Sequence, residues 1–148
     1  ILLEIRDAVA YVTLNRPEQA NVLNDEMSAA FIETVETLAR ACGQGQVSAA
    51  LLSAKGPHFC AGGDISGFVA SDDLAGLMDR GIPPLHRAIH TLSTLPVPVV
   101  SAVNGAGVVI DETARRLLRH RPEPGRGCVL GTNEAGGADA RQTHPVHQ

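Results

Sequence analysis

The stretch from Lys55 to Ile65, K-G-P-H-F-C-A-G-G-D-I, places a glycine turn between a strand-like run and a helix-like run. The apolar run at 47–53 predicts a short buried strand. Gly62 and Gly63 lack a Cβ, so they can adopt positive φ and let another molecule approach their amides, while Asp64 is a favourable helix N-cap. The stretch therefore predicts free N–H groups at a helix N-terminus, which can hold an oxyanion. The same residues also fit a plain loop with a capped helix.

The size, charge and cysteine content of the chain disfavour several classes of protein. The chain has 148 residues, of which 44% are hydrophobic, so it can form one domain with a sizeable core. Its net charge is −4 and Lys55 is its single lysine, which disfavours nucleic-acid partners and anionic membrane surfaces. Three cysteines without C-x-x-C spacing disfavour a disulfide framework and a zinc site. This cysteine content favours a reducing cytoplasm. The longest apolar run, 96–103, is too short to span a bilayer, so we expect a soluble protein.

Hydrophobic periodicity predicts a mixed α/β fold with four strands in one sheet. The strands are predicted at 2–6, 9–14, 47–53 and 97–103, and the helices at 25–41, 65–69 and 72–93. The last helix is expected to be interrupted and kinked at Gly81–Pro84. The predicted core contains Val12, Leu14, Leu23, Phe31, Val35, Leu51, Leu52, Ile89, Val99 and Val100.

Two histidines, His86 and His90, share one face of the last predicted helix at i, i+4 spacing. This spacing suits a metal ion, but no glutamate or third ligand stands at motif spacing beside them. Solvent-exposed histidines are the favoured interpretation, and no metal site is predicted.

Four segments resemble the enoyl-CoA hydratase/isomerase family, the crotonases, in order and in spacing. They are V-A-Y-V-T-L-N-R-P at 9–17, N-V-L-N-D-E-M at 21–27, F-C-A-G-G-D-I at 59–65 and P-V-P-V-V-S-A-V-N-G at 96–105. The resemblance covers 2–105. It implies a fold of repeated ββα units, incomplete here at the C-terminus, that binds an acyl group as its coenzyme A thioester.

The resemblance also implies roles for individual residues, mostly through the main chain. Gly63 matches the first of two N–H donors that hold the thioester carbonyl oxygen as it becomes enolate-like. Ala61 would offer its carbonyl to the adenine amino group, and the backbone of Val22 and Leu23 would line the groove for adenine and pantetheine. The remaining predicted substrate-binding residues are Gly62, Asp64 and Ile65. No separate cofactor is implied, since coenzyme A is part of the substrate, and relatives of this kind form homotrimers or hexamers.

The sequence departs from the family pattern after Gly105. Val109 to Asp111 stand where the family has a glycine-rich turn with the second donor, and Thr113 stands where a hydratase has its first catalytic glutamate. Glu112, one position away, is the candidate acid or base. We therefore predict a partial acyl-CoA-binding core at 1–110 and an atypical tail at 111–148, with a short helix at 112–120 and coil at 121–148. A frameshift or truncation after about Val108, and a disturbed oligomer, are the corresponding expectations.

Two functional hypotheses follow. The first is an enoyl-CoA hydratase/isomerase-type enzyme that stabilises an enolate in an oxyanion hole, while a carboxylate moves a proton or activates water. Hydration, isomerisation and other reactions of the family stay open. The alternative is a non-catalytic truncated remnant that binds acyl-CoA or has only a structural role, and ligand binding without turnover would distinguish it.

Overall fold

The computed structural model describes residues 1–64, 69 and 71–105, together with the backbone of 128–130. Within these residues, five strands form one sheet in the order β1-β2-β3-β4-β5. β2, β3 and β4 run parallel, and the outer strands β1 and β5 pair antiparallel with them. The strands are β1 (Leu2–Arg6), β2 (Val9–Leu14), β3 (Ala49–Ala54), β4 (Val99–Val103) and β5 (Cys128–Leu130), and the helices are α1 (Asp25–Gly43) and α2 (Leu74–Ser93).

The two strands predicted at 2–6 and 9–14 are confirmed, and they pair as an antiparallel hairpin. β1 and β2 are joined by Asp7 and Ala8, which have φ of 50° and 60°. Positive φ at both central residues is the feature of a type I′ turn, whose twist matches that of the flanking strands. Alternate residues of β2 are buried, namely Ala10, Val12 and Leu14, as the period of two in its sequence requires.

Helix α1 begins at Asp25, where the sequence predicts its start. The Asn24 side chain accepts a hydrogen bond from the Met27 N–H at 2.9 Å, and acidic residues occupy the first turn. Its buried stripe recurs at helical spacing and faces the sheet and α2. In the same way the Asp73 side chain caps α2 by accepting from the Gly76 N–H at 2.9 Å.

The predicted core is confirmed at seven of its ten positions. Leu23, Leu51 and Val100 are only partly buried. Leu51 and Val100 are opposite one another in the β3–β4 register, and each alternates with a buried neighbour along its strand. They therefore lie on the face of the sheet opposite to Leu52 and Val99, because successive side chains point to opposite faces.

Helix α2 confirms the helix predicted at 72–93, but the interruption predicted at Gly81–Pro84 is wrong. It runs without interruption through Pro83 and Pro84. Each proline removes one backbone hydrogen bond. The helix is stabilised instead by an apolar stripe packed into the core, formed after the prolines by Leu85, Ala88, Ile89 and Leu92.

The tail also differs from its prediction. Coil was expected throughout 121–148, but β5 pairs with β4 in this region, with Val129 opposite Ala102. An edge strand such as β4 exposes unpaired N–H and C=O groups, which a short segment can satisfy whatever its own composition. The helices predicted at 65–69 and 112–120 fall, apart from Val69, outside the described residues. Within the described ranges, no helix has the length and apolar character needed to cross a bilayer.

Candidate functional site

The candidate site lies at one edge of the sheet. Because β2, β3 and β4 are parallel, their carboxyl ends meet at the same edge, where Leu14 pairs with Ala54. Ligands of α/β sheets bind in crevices at such an edge. Three loops leave it, at residues 15–24, 55–64 and 104–105.

The first two loops are joined by one buried side chain, Asn21, which is 0% exposed. Its Oδ1 accepts from the Arg16 N–H at 2.7 Å. Its Nδ2 donates to the carbonyl oxygens of Lys55 at 3.0 Å and His58 at 2.8 Å. Asn21 and the preceding Ala20 both have left-handed backbone conformations, with φ of 52° and 49°. Asparagine tolerates this conformation better than most residues, so it suits both the backbone and the contacts.

The third loop joins the same assembly through Asn104. Its side-chain amide donates to the Gly56 carbonyl at 2.5 Å, and its main-chain carbonyl accepts from the Phe59 N–H at 2.8 Å. The end of β4 is thereby bonded to the chain that leaves β3. All three loops at the carboxyl edge thus hold one another through hydrogen bonds.

The glycine turn lies against Leu23 in a parallel bridge. The Leu23 N–H donates to the Gly62 carbonyl at 2.8 Å, and the Asp64 N–H donates to the Leu23 carbonyl at 3.2 Å. In a parallel bridge these bonds use the groups that flank the central residue, so the N–H and C=O of Gly63 point to the opposite side. No described residue accepts a hydrogen bond from the Gly63 N–H.

The two glycines have different conformations. Gly62 has a φ of 101°, which a residue with a side chain rarely adopts, whereas Gly63 is not among the residues with positive φ. Of the two glycines, only Gly62 therefore adopts the positive φ that the sequence allows for both. Gly62 sets the turn, and Gly63 presents its amide.

The other predicted main-chain positions lie around this turn. Ala61 is exposed, its N–H donates to the Ala20 carbonyl at 3.0 Å, and no donor among the described residues reaches its own carbonyl. Val22 and Leu23 are partly buried on the adjoining loop. Ile65, Glu112 and the segment from Val109 to Asp111 lie outside the described residues, so the roles predicted for them stay predictions.

A cavity of about 390 Å³ opens beside the turn, between α1 and α2. This volume is within the usual range for small-molecule sites. Gly63 and Leu23 belong to its lining, and most of the other lining side chains are aliphatic. The apolar lining residues beyond Leu23 are Ala29, Ile32, Leu77, Met78, Ile82, Pro84 and Leu85.

Three polar side chains also line the cavity: Asp25, Ser28 and Arg80. Arg80 pairs with Asp73 at 3.6 Å across an exposed surface, where such a pair contributes little stability. Neither Asp25 nor Asn21 is predicted from the sequence to be a site residue. Their roles depend on contacts between segments far apart in the chain, although asparagine is a residue type that is favoured in turns. Among the residues that the structure describes, no three His, Cys, Asp or Glu side chains could share a metal ion.

The Cys60 thiol is buried directly before the turn. Burial raises its pKa above the ordinary value, and the Gly62 N–H partly offsets this by hydrogen bonding to the sulfur. Burial also raises the pKa of Cys42. Since the thiolate is the reactive form of cysteine, a raised pKa makes Cys60 a packing residue rather than a nucleophile at neutral pH.

The raised pKa of Cys60 predicts a loss of stability in alkali. Below about pH 8.5 the thiol is neutral in both the folded and the unfolded chain. Above that pH it ionises first in the unfolded chain, so the free energy of unfolding should fall as pH rises. Urea unfolding between neutral and alkaline pH should show a shallower fall for Cys60→Ala than for the unmodified chain. Equal pH slopes for the two proteins would contradict the prediction.

Comparison with known proteins shows to which family this chain belongs. The enoyl-CoA hydratase/isomerase family profile matches residues 4–109. The chain belongs to the enoyl-CoA hydratase/isomerase family. It is 35% identical over 111 residues to a probable enoyl-CoA hydratase of Mycobacterium tuberculosis, covering 73% of this chain and 40% of that protein. It is 36% identical over 110 residues to the 1,2-epoxyphenylacetyl-CoA isomerase of Escherichia coli, covering 71% and 40% respectively.

Solved structures of this family share the fold. An enoyl-CoA hydratase of Mycobacterium smegmatis superposes with a TM-score of 0.62 at 31% identity, over 69% of this chain and 38% of that one. The crotonase fold of the N-terminal part is therefore confirmed. The chain spans about 40% of the length of the curated relatives it matches. The domain boundary at residue 110 stays a prediction.

Proposed function

We propose that this chain carries the acyl-CoA-binding part of an enoyl-CoA hydratase/isomerase and polarises the thioester carbonyl through the Gly63 N–H. The observation that carries the proposal is the bridge at Leu23, which turns the Gly63 amide away from the neighbouring loop. A preorganised N–H donor stabilises the charge that develops on the carbonyl oxygen as the thioester becomes an enolate. The amide and the cavity lining meet at the same residue.

The cavity between α1 and α2 supports an apolar acyl group as the ligand. Its aliphatic lining matches a hydrocarbon chain, whose transfer from water is favourable by about 25 cal/mol per Å² of surface buried. A carbonyl held at Gly63 would direct this chain between the helices. Ala61 is exposed and its carbonyl is proposed to accept from the adenine amino group, with the loop at Val22 and Leu23 lining the groove beside it.

Several finer points belong to the same proposal. The acid or base is proposed to be Glu112, and the protein is proposed to act in the cytoplasm, in fatty acid metabolism, as a homotrimer or hexamer. Coenzyme A enters as part of the substrate, so no further cofactor is needed. Binding without turnover remains the alternative, since one N–H donor is enough to bind and polarise a thioester but hydration also needs a proton carrier.

The test is a titration with hexanoyl-CoA labelled with ¹³C at the carbonyl. We expect binding by calorimetry and a shift of the carbonyl stretch to lower frequency, because a hydrogen bond to the oxygen weakens the C=O bond. Coenzyme A alone and hexanoate alone serve as controls and should bind more weakly. No binding of the thioester, or binding with an unchanged carbonyl stretch, would refute the proposal. Adding crotonyl-CoA and following the loss of its enoyl absorbance then separates the enzyme from the non-catalytic binder.

A further inference from the structure

We infer that Asn21 is a positioning residue for the Gly63 amide: its side chain holds in place the loop against which the glycine turn is built. The inference rests on the proposed role of Gly63 as the carbonyl donor. It assigns to Asn21 no contact with the substrate. Its effect is transmitted through the main chain.

The first argument is the completeness of the Asn21 contacts. Its side-chain amide has one acceptor and two N–H donors, and all three make hydrogen bonds of 3.0 Å or shorter to main-chain groups. The residue is fully buried. Removing a partner from a buried main-chain group leaves that group unsatisfied, so the surrounding backbone must move to recover a hydrogen bond.

The second argument is where the partners of Asn21 lie. Lys55 and His58, whose carbonyls accept from Nδ2, belong to the segment that leads from β3 into the glycine turn. Arg16, whose N–H donates to Oδ1, lies near the start of the loop that carries Asn21. One side chain thus fixes the spacing between the loop and the segment entering the turn.

The third argument is that the neighbours of Asn21 hold the turn itself. The Ala20 carbonyl accepts from the Ala61 N–H, and both main-chain groups of Leu23 bond to the residues flanking Gly63. These three bonds help to orient the turn. A shift of the loop at Asn21 would therefore be passed directly to the direction of the Gly63 N–H.

The cavity walls, in contrast, are formed mainly by α1 and α2, and Asn21 is not among the lining residues. Loss of its side-chain contacts should therefore misdirect the amide while leaving the acyl groove in place. A variant that is only destabilised overall would not separate these two effects. Carbonyl polarisation should fall much more than affinity.

The experiment compares Asn21→Asp with Asn24→Asp in the full chain, using ¹³C-carbonyl hexanoyl-CoA as the probe. Asn21→Asp keeps an acceptor for the Arg16 N–H but loses both donors and places a carboxylate against two carbonyls. Asn24→Asp is the matched control, because its side chain only accepts, from the Met27 N–H, and aspartate caps a helix equally well. We expect Asn21→Asp to lose at least about half of the carbonyl frequency shift with a dissociation constant changed by less than about threefold, and Asn24→Asp to match the unmodified chain.

A second variant and a measurement on the native chain keep the inference testable if Asn21→Asp does not fold. Asn21→Gly retains the left-handed conformation without the side-chain bonds, and it should show the same loss of polarisation. If neither variant folds, the Asn21 side-chain NH₂ signals of the native chain should shift together with the Gly63 amide when hexanoyl-CoA is added. Folded variants with a full carbonyl shift, or Asn21 signals that do not respond, would overturn the inference. If the unmodified chain shows no carbonyl shift, the proposed function has failed instead.

Discussion

Replacing Gly105 by alanine is expected to destabilise the fold by about 3 kcal/mol, the sum of a strained backbone and an overlap in a packed site. Gly105 has a φ of 58°, and a Cβ there would overlap the carbonyl oxygen of Pro57. That carbonyl belongs to the loop that the Asn104 side chain and carbonyl hold in place. Neither Gly105 nor Pro57 can move away without breaking these hydrogen bonds.

Gly45→Ala is the matched control for this prediction. Gly45 has a φ of 70° but would place its Cβ in open space, so it carries the backbone cost of about 1 kcal/mol without the overlap. Urea unfolding of both variants measures the two costs separately. Equal destabilisation by the two substitutions would show that the loop at Pro57 moves aside freely, contrary to the bonds described for it.

The second large effect is expected for Gly63→Pro, because proline has no N–H to donate. Loss of one oxyanion donor typically lowers turnover by about 100- to 1000-fold. We expect Gly63→Pro to lose the carbonyl frequency shift of bound hexanoyl-CoA and to lower by this factor any hydration of crotonyl-CoA that the chain supports. No described hydrogen bond is lost in the fold, since no described residue accepts from this amide.

Gly63→Ala is the control for Gly63→Pro. It retains the N–H, and the conformation of Gly63 does not require positive φ, so alanine can adopt it. The alanine variant should keep most of the carbonyl shift. A full shift in both variants would show that another group polarises the carbonyl, and loss in both would point to crowding at the turn rather than to the missing donor.

The regular elements of this protein follow closely from its sequence. The alternation in Val9–Leu14 and the helical spacing from Met27 to Leu38 each bury one face, and both elements occur where the pattern predicts them. The cap at Asn24 fixes the start of α1. These features depend on residues close together in the chain, and for that reason local patterns are enough to predict them.

The site was only partly visible in the sequence. The four motifs identified the glycine turn and the family, but they did not distinguish Gly62, which takes the strained conformation, from Gly63, which presents the amide. That distinction comes from the bridge to Leu23, about forty residues away in the chain. A local motif cannot specify which of two adjacent glycines a distant loop will bond.

What the sequence determined by itself was therefore the set of elements, most of the core and the family to which the chain belongs. Tertiary structure alone decided that α2 continues through Pro83 and Pro84, that Val129 pairs at the open edge of β4 and that Asn21 joins two loops. Each of these outcomes is set by packing or hydrogen bonding between segments far apart in the chain. Core packing compensates for the backbone hydrogen bonds that the two prolines remove from α2. Pairing with Val129 satisfies backbone groups of β4 whose partner local sequence patterns do not reveal.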